Sequence, residues 1–349
     1  RTTPAAGAGT APGRSLGAAR VPGDAAHVQQ AGQEAAVVDG LARARVAVVG
    51  PGRLGGVLAA GCVRAGLRLV AVAGRGGAAD PAARALAARH AGVRVRDGAA
   101  DAVGDADLVL LCVPDDVLPD LVTEVARAGA WRDGQRVVHV SGASGTAPLE
   151  RARLAGARVA ACHPAQTFPS GPPDPDVLAG VRWAVTCATA DRGWAHELVT
   201  LLGGDASDVS EDARVRYHAA LVLGSNAVGG AVAVARALLL SARVDDPAGF
   251  LAPLVDASVA NVLQGGAQAL TGPVVRGDAG TLQRHLAALD ADAPHLAAAY
   301  RALQGVVLAQ VRPALDAAAV AALEAALAPV GPAADVGGPS PTAPDTEDR

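Results

Sequence analysis

Three glycines, Gly50, Gly52 and Gly55, stand in the run GPGRLGG (50–56), directly after the short apolar segment RVAVV and directly before a stretch with Ala, Val and Leu at helical spacing. In that setting each glycine has a separate task. The first permits a tight turn, the second lets backbone approach an anion, and the third lets a helix pack closely on a strand. The N–H groups that open the helix have no internal partner and attract negative charge. Gly50, Gly52 and Gly55, with Arg53 and Leu54 between them, are therefore candidates to hold the pyrophosphate of a dinucleotide. Glycine is abundant, 42 of 349 residues, so a purely structural turn competes with this reading, and the strand and helix on either side favour the ligand.

The next apolar run, LRLVAVAG, ends in Gly74 and Arg75, with no acid before Asp80. A carboxylate at this place accepts from a ribose 2′-hydroxyl and repels a 2′-phosphate, whereas a guanidinium binds that phosphate through two donors. Gly74 and Arg75 thus point to NADP(H), with Arg53 as a second phosphate contact; two merely solvated arginines are the plainer alternative. Val113 and Pro114, in LCVPDD (111–116), end another apolar run where they would line a nicotinamide ribose, and Asp115 or Asp116 reads as a cap of the following helix.

Histidine and serine are the remaining candidates for proton chemistry. All 30 basic residues are Arg, so no lysine Schiff base, P-loop lysine or ammonium acid is available. His163 ends the run ARVAACH, and Pro164 holds the chain extended after it; an imidazole that titrates near neutrality suits proton transfer in either direction. The duller role is to fix the proline-rich loop that follows. Ser141 and Ser144 lie in HVSGASG among glycines that suggest close approach to a ligand, with His139 two residues before Ser141 inside the run. Further on, His218, Leu221, Ser225 and Gly229 form one helical stripe with Asn226 beside it, polar positions that need partners if buried. Arg276 in LTGPVVRGD (270–278) is either a carboxylate clamp or a partner of Asp278, which caps the next helix.

These residues must be positioned by two kinds of architecture. Six apolar runs between 45 and 188, bounded by Gly, Pro or Asp, have the unbroken character of strands covered on both faces. After about Glu211 the chain reads as four or so helices without strands. The expectation is an α/β Rossmann dinucleotide-binding domain over 43–205 and an all-α domain over 206–330, between extensions 1–42 and 331–349 too poor in periodic apolar residues to fold. A net charge of −4 and few aromatics give no footprint for nucleic acid. Four scattered cysteines suggest buried thiols and no metal. No apolar run reaches the length of a membrane span, and no signal segment is recognised, so the expected setting is cytoplasmic, without a membrane partner.

GPGRLGG, CVPDD, HVSGASG, HPAQTF, YHAALVLGSN and LTGPVVRGD together resemble the family that joins a Rossmann-like domain to domain of unknown function 2520, over about 43–330. That family lies within the 6-phosphogluconate dehydrogenase-like superfamily, beside ketopantoate reductase, pyrroline-5-carboxylate reductase and prephenate dehydrogenase. The resemblance implies an NAD(P)-dependent oxidoreductase whose 6-phosphogluconate dehydrogenase C-terminal-like helical domain forms a homodimer. It implies catalytic roles for His163, toward the substrate oxygen, and for Ser141, near nicotinamide and substrate; His218 and Asn226 remain catalytic candidates from their helix pattern alone. One departure matters. Hydroxyacid dehydrogenases and ketopantoate reductase use a helix lysine four residues before an Asn, whereas here Val222 precedes Asn226 by four. The expected function is hydride transfer to or from a small, carboxylate-bearing metabolite; the alternative is a non-catalytic NADP(H) sensor.

Overall fold

The computed structural model describes residues 40–329, so the two terminal extensions fall almost wholly outside it. The described chain divides into two compact units between Glu211 and Asp212.

The first unit is an eight-stranded sheet in the order β3-β2-β1-β4-β5-β6-β7-β8. Its strands are β1 (Arg45–Val49), β2 (Arg68–Ala73), β3 (Arg94–Arg96), β4 (Leu108–Leu111), β5 (Arg136–His139), β6 (Arg158–Pro164), β7 (Arg182–Cys187) and β8 (Asp205–Asp208). Helices α1 (Arg53–Arg64), α2 (Pro81–Arg89), α3 (Ala99–Val103), α4 (Leu118–Arg127), α5 (Glu150–Leu154) and α6 (Arg192–Leu201) connect them. β1 shows why the strands read as unbroken apolar runs. Val46 and Val48 join Leu58 of α1, Leu86 of α2 and Leu198 of α6 in one core, while Ala47 and Val49 join Val103 of α3 and Val122 of α4 in the other. Side chains alternate between faces, and both faces are covered.

Two strands escaped the sequence pattern, and both are edge strands. β3 (RVR) and β8 (DASD) are short, and their polar or charged residues carry no apolar signal, which is how sheet edges avoid pairing with other chains. β7 departs in direction. It runs antiparallel to β6, because the segment joining them is proline-rich loop and short turn without the crossover helix that a parallel return requires. β6 also runs on through His163 and Pro164, which face Ala184 and Trp183 of β7. Its pairing with β5 stops at Ala161, so Pro164 needs no N–H on that side.

The second unit is helical among the described residues, with six α-helices rather than four: α7 (Arg214–Val222), α8 (Val228–Ser241), α9 (Pro247–Gly265), α10 (Ala279–Asp292), α11 (Pro294–Val311) and α12 (Ala317–Leu327). Its core is small, built on Val274, Leu282, Leu308, Val311 and Leu323. A π-turn at Leu223–Ala227 joins α7 to α8, so Glu211–Ser241 is one helical run of 31 residues. This corrects the expectation about length: that run is long and apolar enough to cross a membrane by length and composition. Its Ala, Val and Gly residues are spread among Arg214, His218, Asn226 and Arg236, so no uninterrupted apolar string announces it.

Candidate active site at the carboxyl edge of the sheet

β1 leaves the sheet at Val49 and turns at Gly50, whose φ of +88° lies in the left-handed region. A Cβ there would stand 2.5 Å from the Cys112 carbonyl oxygen, so neither the conformation nor the space admits a side chain. At Gly55 a Cβ would stand 2.2 Å from the Gly50 carbonyl oxygen, which is how α1 packs down on the turn. Gly52 is different: nothing lies within 4 Å of its Cβ position. Its bareness leaves room on the open side for something outside the protein fold. Gly52 is also the N-cap of α1, which has no side-chain cap and no acid in its first turn. The opening N–H groups of α1 are therefore unclaimed by side chains, as an anion site needs.

This turn forms one wall of a cleft of about 570 Å³ at the carboxyl edge, where β1 lies between β2 and β4 and the strand order reverses. Gly50, Gly52, Gly74, Arg75, Val113 and Pro114 all line it. Arg53 instead lines a neighbouring cleft of about 400 Å³ that shares Pro51, Gly52 and Ala82 with the first. Leu54 packs against the core, and Gly55 serves helix packing, so neither lines the cleft. Cys112 lines it as well, and burial pushes its thiol up to about 12. The thiol stays protonated at neutral pH.

Register places the proton-chemistry candidates. Val49 pairs with Leu111, Leu111 with His139, and His139 with Ala161 across four parallel strands. Past those pairs Ser141 follows the end of β5, while His163 is still within β6, opposite Ala184 of β7. Ser141 is buried and tightly held. Its Oγ donates to Asp115 Oδ2 at 2.7 Å and accepts from the Ser144 N–H at 3.1 Å. His139 is fully buried; its Nδ1 accepts from the Ser141 N–H at 3.1 Å while Nε2 lies 2.6 Å from the Gly145 carbonyl, so Nε2 carries the proton in that contact. His139 thus fixes the turn that presents Ser141.

Asp115 corrects the sequence reading. α4 begins after Val117 with no side-chain cap, so Asp115 is not a helix cap; it is the acceptor for Ser141. That pairing depends on β4 and β5 being neighbours, which no local signal reveals. Asp80 is a second residue the sequence reading passed over: it lines the cleft and stands against Gly74.

His218, Ser225 and Asn226 belong to the second unit. The π-turn breaks the regular stripe expected for them, because its wider hydrogen-bonding shifts everything after it by one position. Ser225 Oγ donates to the Leu221 carbonyl at 2.8 Å and lies 3.0 Å from Asn226 Oδ1. Asp278 caps α10, accepting from the Thr281 N–H at 2.9 Å, with Arg276 contributing only as a nearby charge.

The fold has well-defined relatives. A candidate NADP oxidoreductase from Bacteroides fragilis is 22% identical, with a TM-score of 0.62 over 76% of this chain and 98% of that one. An imine reductase from Myxococcus stipitatus, in complex with NADP+, is 21% identical, with a TM-score of 0.56 over 77% of this chain and 93% of that one. An imine reductase from Pseudomonas sp. is 20% identical, with a TM-score of 0.56 over 82% of this chain and all of that one. At these identities the likeness is one of fold. No curated protein matches the sequence. Residues 30–164 match the Rossmann-like domain and residues 181–306 match the domain of unknown function DUF2520. The chain thus carries a Rossmann-like domain followed by a DUF2520 domain.

Proposed function

We propose that the protein is an NADP(H)-dependent oxidoreductase that moves hydride to or from a C–O or C–N carbon of a small, carboxylate-bearing metabolite in the cytoplasm. The observation that carries this reading is the glycine turn: two glycines are demanded by protein contacts, while Gly52 is demanded by nothing within the fold and opens onto the cleft. The residues fit the cofactor. Gly50, Gly52 and the start of α1 would hold the pyrophosphate, Arg75 and Arg53 the 2′-phosphate, and Val113 and Pro114 the nicotinamide ribose. The bound nicotinamide supplies or accepts the hydride.

The chain's own part is to orient the substrate and handle a proton. Ser141, held in place by its bond to Asp115, is the candidate to orient the substrate. His163, on the neighbouring strand β6, is the candidate to move the proton. The NADP+-bound imine reductase of the same fold favours a C–N substrate within this range.

The functional form in this reading is a homodimer. Leu223, Leu240, Phe250, Leu254 and Leu263 are exposed in the single chain, and none of the apolar window of Glu211–Ser241 is buried. Apolar surface of that extent favours burial against a second copy.

Titration with NADPH, followed by calorimetry and by the melting temperature, tests the core of the reading. Binding with a raised melting temperature is expected; no heat and no shift at saturating nucleotide would refute it. A non-catalytic NADP(H) sensor is the second reading, favoured by Val222 at the helix position where related enzymes carry lysine. NADPH oxidation with any member of an imine and keto-acid panel excludes it.

A further inference from the structure

We propose that Asp80 is a cofactor-specificity residue, supplying from the start of α2 the carboxylate that the end of β2 lacks, so that it opposes Arg75 and keeps the preference for NADP(H) over NAD(H) small. The inference deepens the nucleotide reading above and rests on it.

Gly74 ends β2 with no side chain, yet its side-chain space is filled. A Cβ there would stand 2.3 Å from the Asp80 carboxyl carbon and 2.4 and 2.7 Å from its two oxygens. The Asp80 carboxylate therefore occupies the space in which a side chain at position 74 would begin. In dinucleotide clefts an acid at the end of the second strand accepts from the ribose 2′-hydroxyl. Asp80 reaches the same corner by a different route, six residues later, and lines the same cleft as Arg75.

Its hydrogen bonds leave capacity for a ligand. Oδ1 accepts from the Ala83 N–H at 2.9 Å and Oδ2 from the Gly76 N–H at 3.3 Å. The Ala82 N–H also acts on this carboxylate, and with about four acceptor positions it keeps one for a ligand. Those N–H groups, with the Arg75 charge nearby, hold its carboxyl below the ordinary carboxylate range, and it is ionised at neutral pH. A negative charge thus stands beside the guanidinium that would take a 2′-phosphate. The carboxylate repels that phosphate and accepts from a free 2′-hydroxyl; Arg75 does the reverse.

Asp80 also caps α2, and the substitution must separate the two roles. Asp80→Asn does so, because Asn caps a helix about as well as Asp and keeps the shape while removing the charge. Dissociation constants for NADPH and NADH are measured on wild type, Asp80→Asn and Arg75→Ala. The NADH-to-NADPH ratio of dissociation constants is expected to rise about three- to tenfold in Asp80→Asn and to fall in Arg75→Ala, with both effects shrinking at high salt. An unchanged ratio in Asp80→Asn, at an unchanged melting temperature, would make Asp80 a helix cap and nothing more. Asp80→Ser, a second uncharged cap, gives the same readout if the Asn variant fails to fold. Wild type that binds neither nucleotide would overturn the underlying reading and this one together; wild type that binds both with an unmoved ratio in the variants would overturn this one alone.

Discussion

Arg75 is exposed and lines the cleft, which suits its guanidinium to a 2′-phosphate. Arg75→Ala should weaken NADPH binding about tenfold and leave NADH nearly unaffected, since bonds to a charged phosphate are among the stronger ones. Equal weakening of both would remove the phosphate assignment. His163 lies in β6, three strands along the sheet from β1 and its glycine turn. His163→Ala should lower kcat by about 10²-fold with the NADPH dissociation constant unchanged, the size typical of a lost acid or base; full turnover in the variant would free His163 from the chemistry. Cys62 and Cys112, both pushed up to about 12 by burial, should react with iodoacetamide at neutral pH only after unfolding.

The turn between β1 and α1 works as a unit whose three glycines answer to different constraints. Gly50→Ala would put a side chain at a left-handed φ and into the Cys112 backbone carbonyl, one residue past the end of β4. A loss of about 2 kcal/mol or more in chemical denaturation is expected, because the left-handed conformation alone costs about 1–2 kcal/mol. Gly52→Ala meets nothing within 4 Å, so stability should hardly change while NADPH affinity falls. A Gly52→Ala protein that binds NADPH like wild type would show that the pyrophosphate lies elsewhere.

Over the whole molecule, the exposed leucines of α8 and α9 and the ion pairs at the lower edge of the sheet make separate predictions. Leu254→Asp with Leu263→Asp, both exposed in the single chain, should convert a dimer to monomers in light scattering without unfolding the sheet-bearing unit. Asp107 accepts from the Arg45 Nε and Nη2 groups at 3.0 and 2.7 Å, and these bonds hold its carboxyl below the ordinary range. A depressed folded-state value means that its stabilisation is complete above the ordinary carboxylate range and is lost as pH falls through the lower folded value. The melting temperature should therefore drop on acidification below about pH 4, and Asp107→Asn should flatten that drop, modestly because the pair is partly exposed.

The sequence alone determined whatever depends on neighbours along the chain. The glycine turn needs only the strand before it and the helix after it, so Gly50, Gly52, Gly55 and the covered strands β1, β2 and β4 were legible in apolar runs and spacing. Strands β3 and β8 were not, because their stability comes from lying beside a sheet already formed rather than from their own side chains. Asp115 against Ser141 and Asp80 against Gly74 were decided only by the tertiary structure. Each depends on which strands become neighbours or where a helix begins, and strand order is set by packing of the whole sheet rather than by any local pattern.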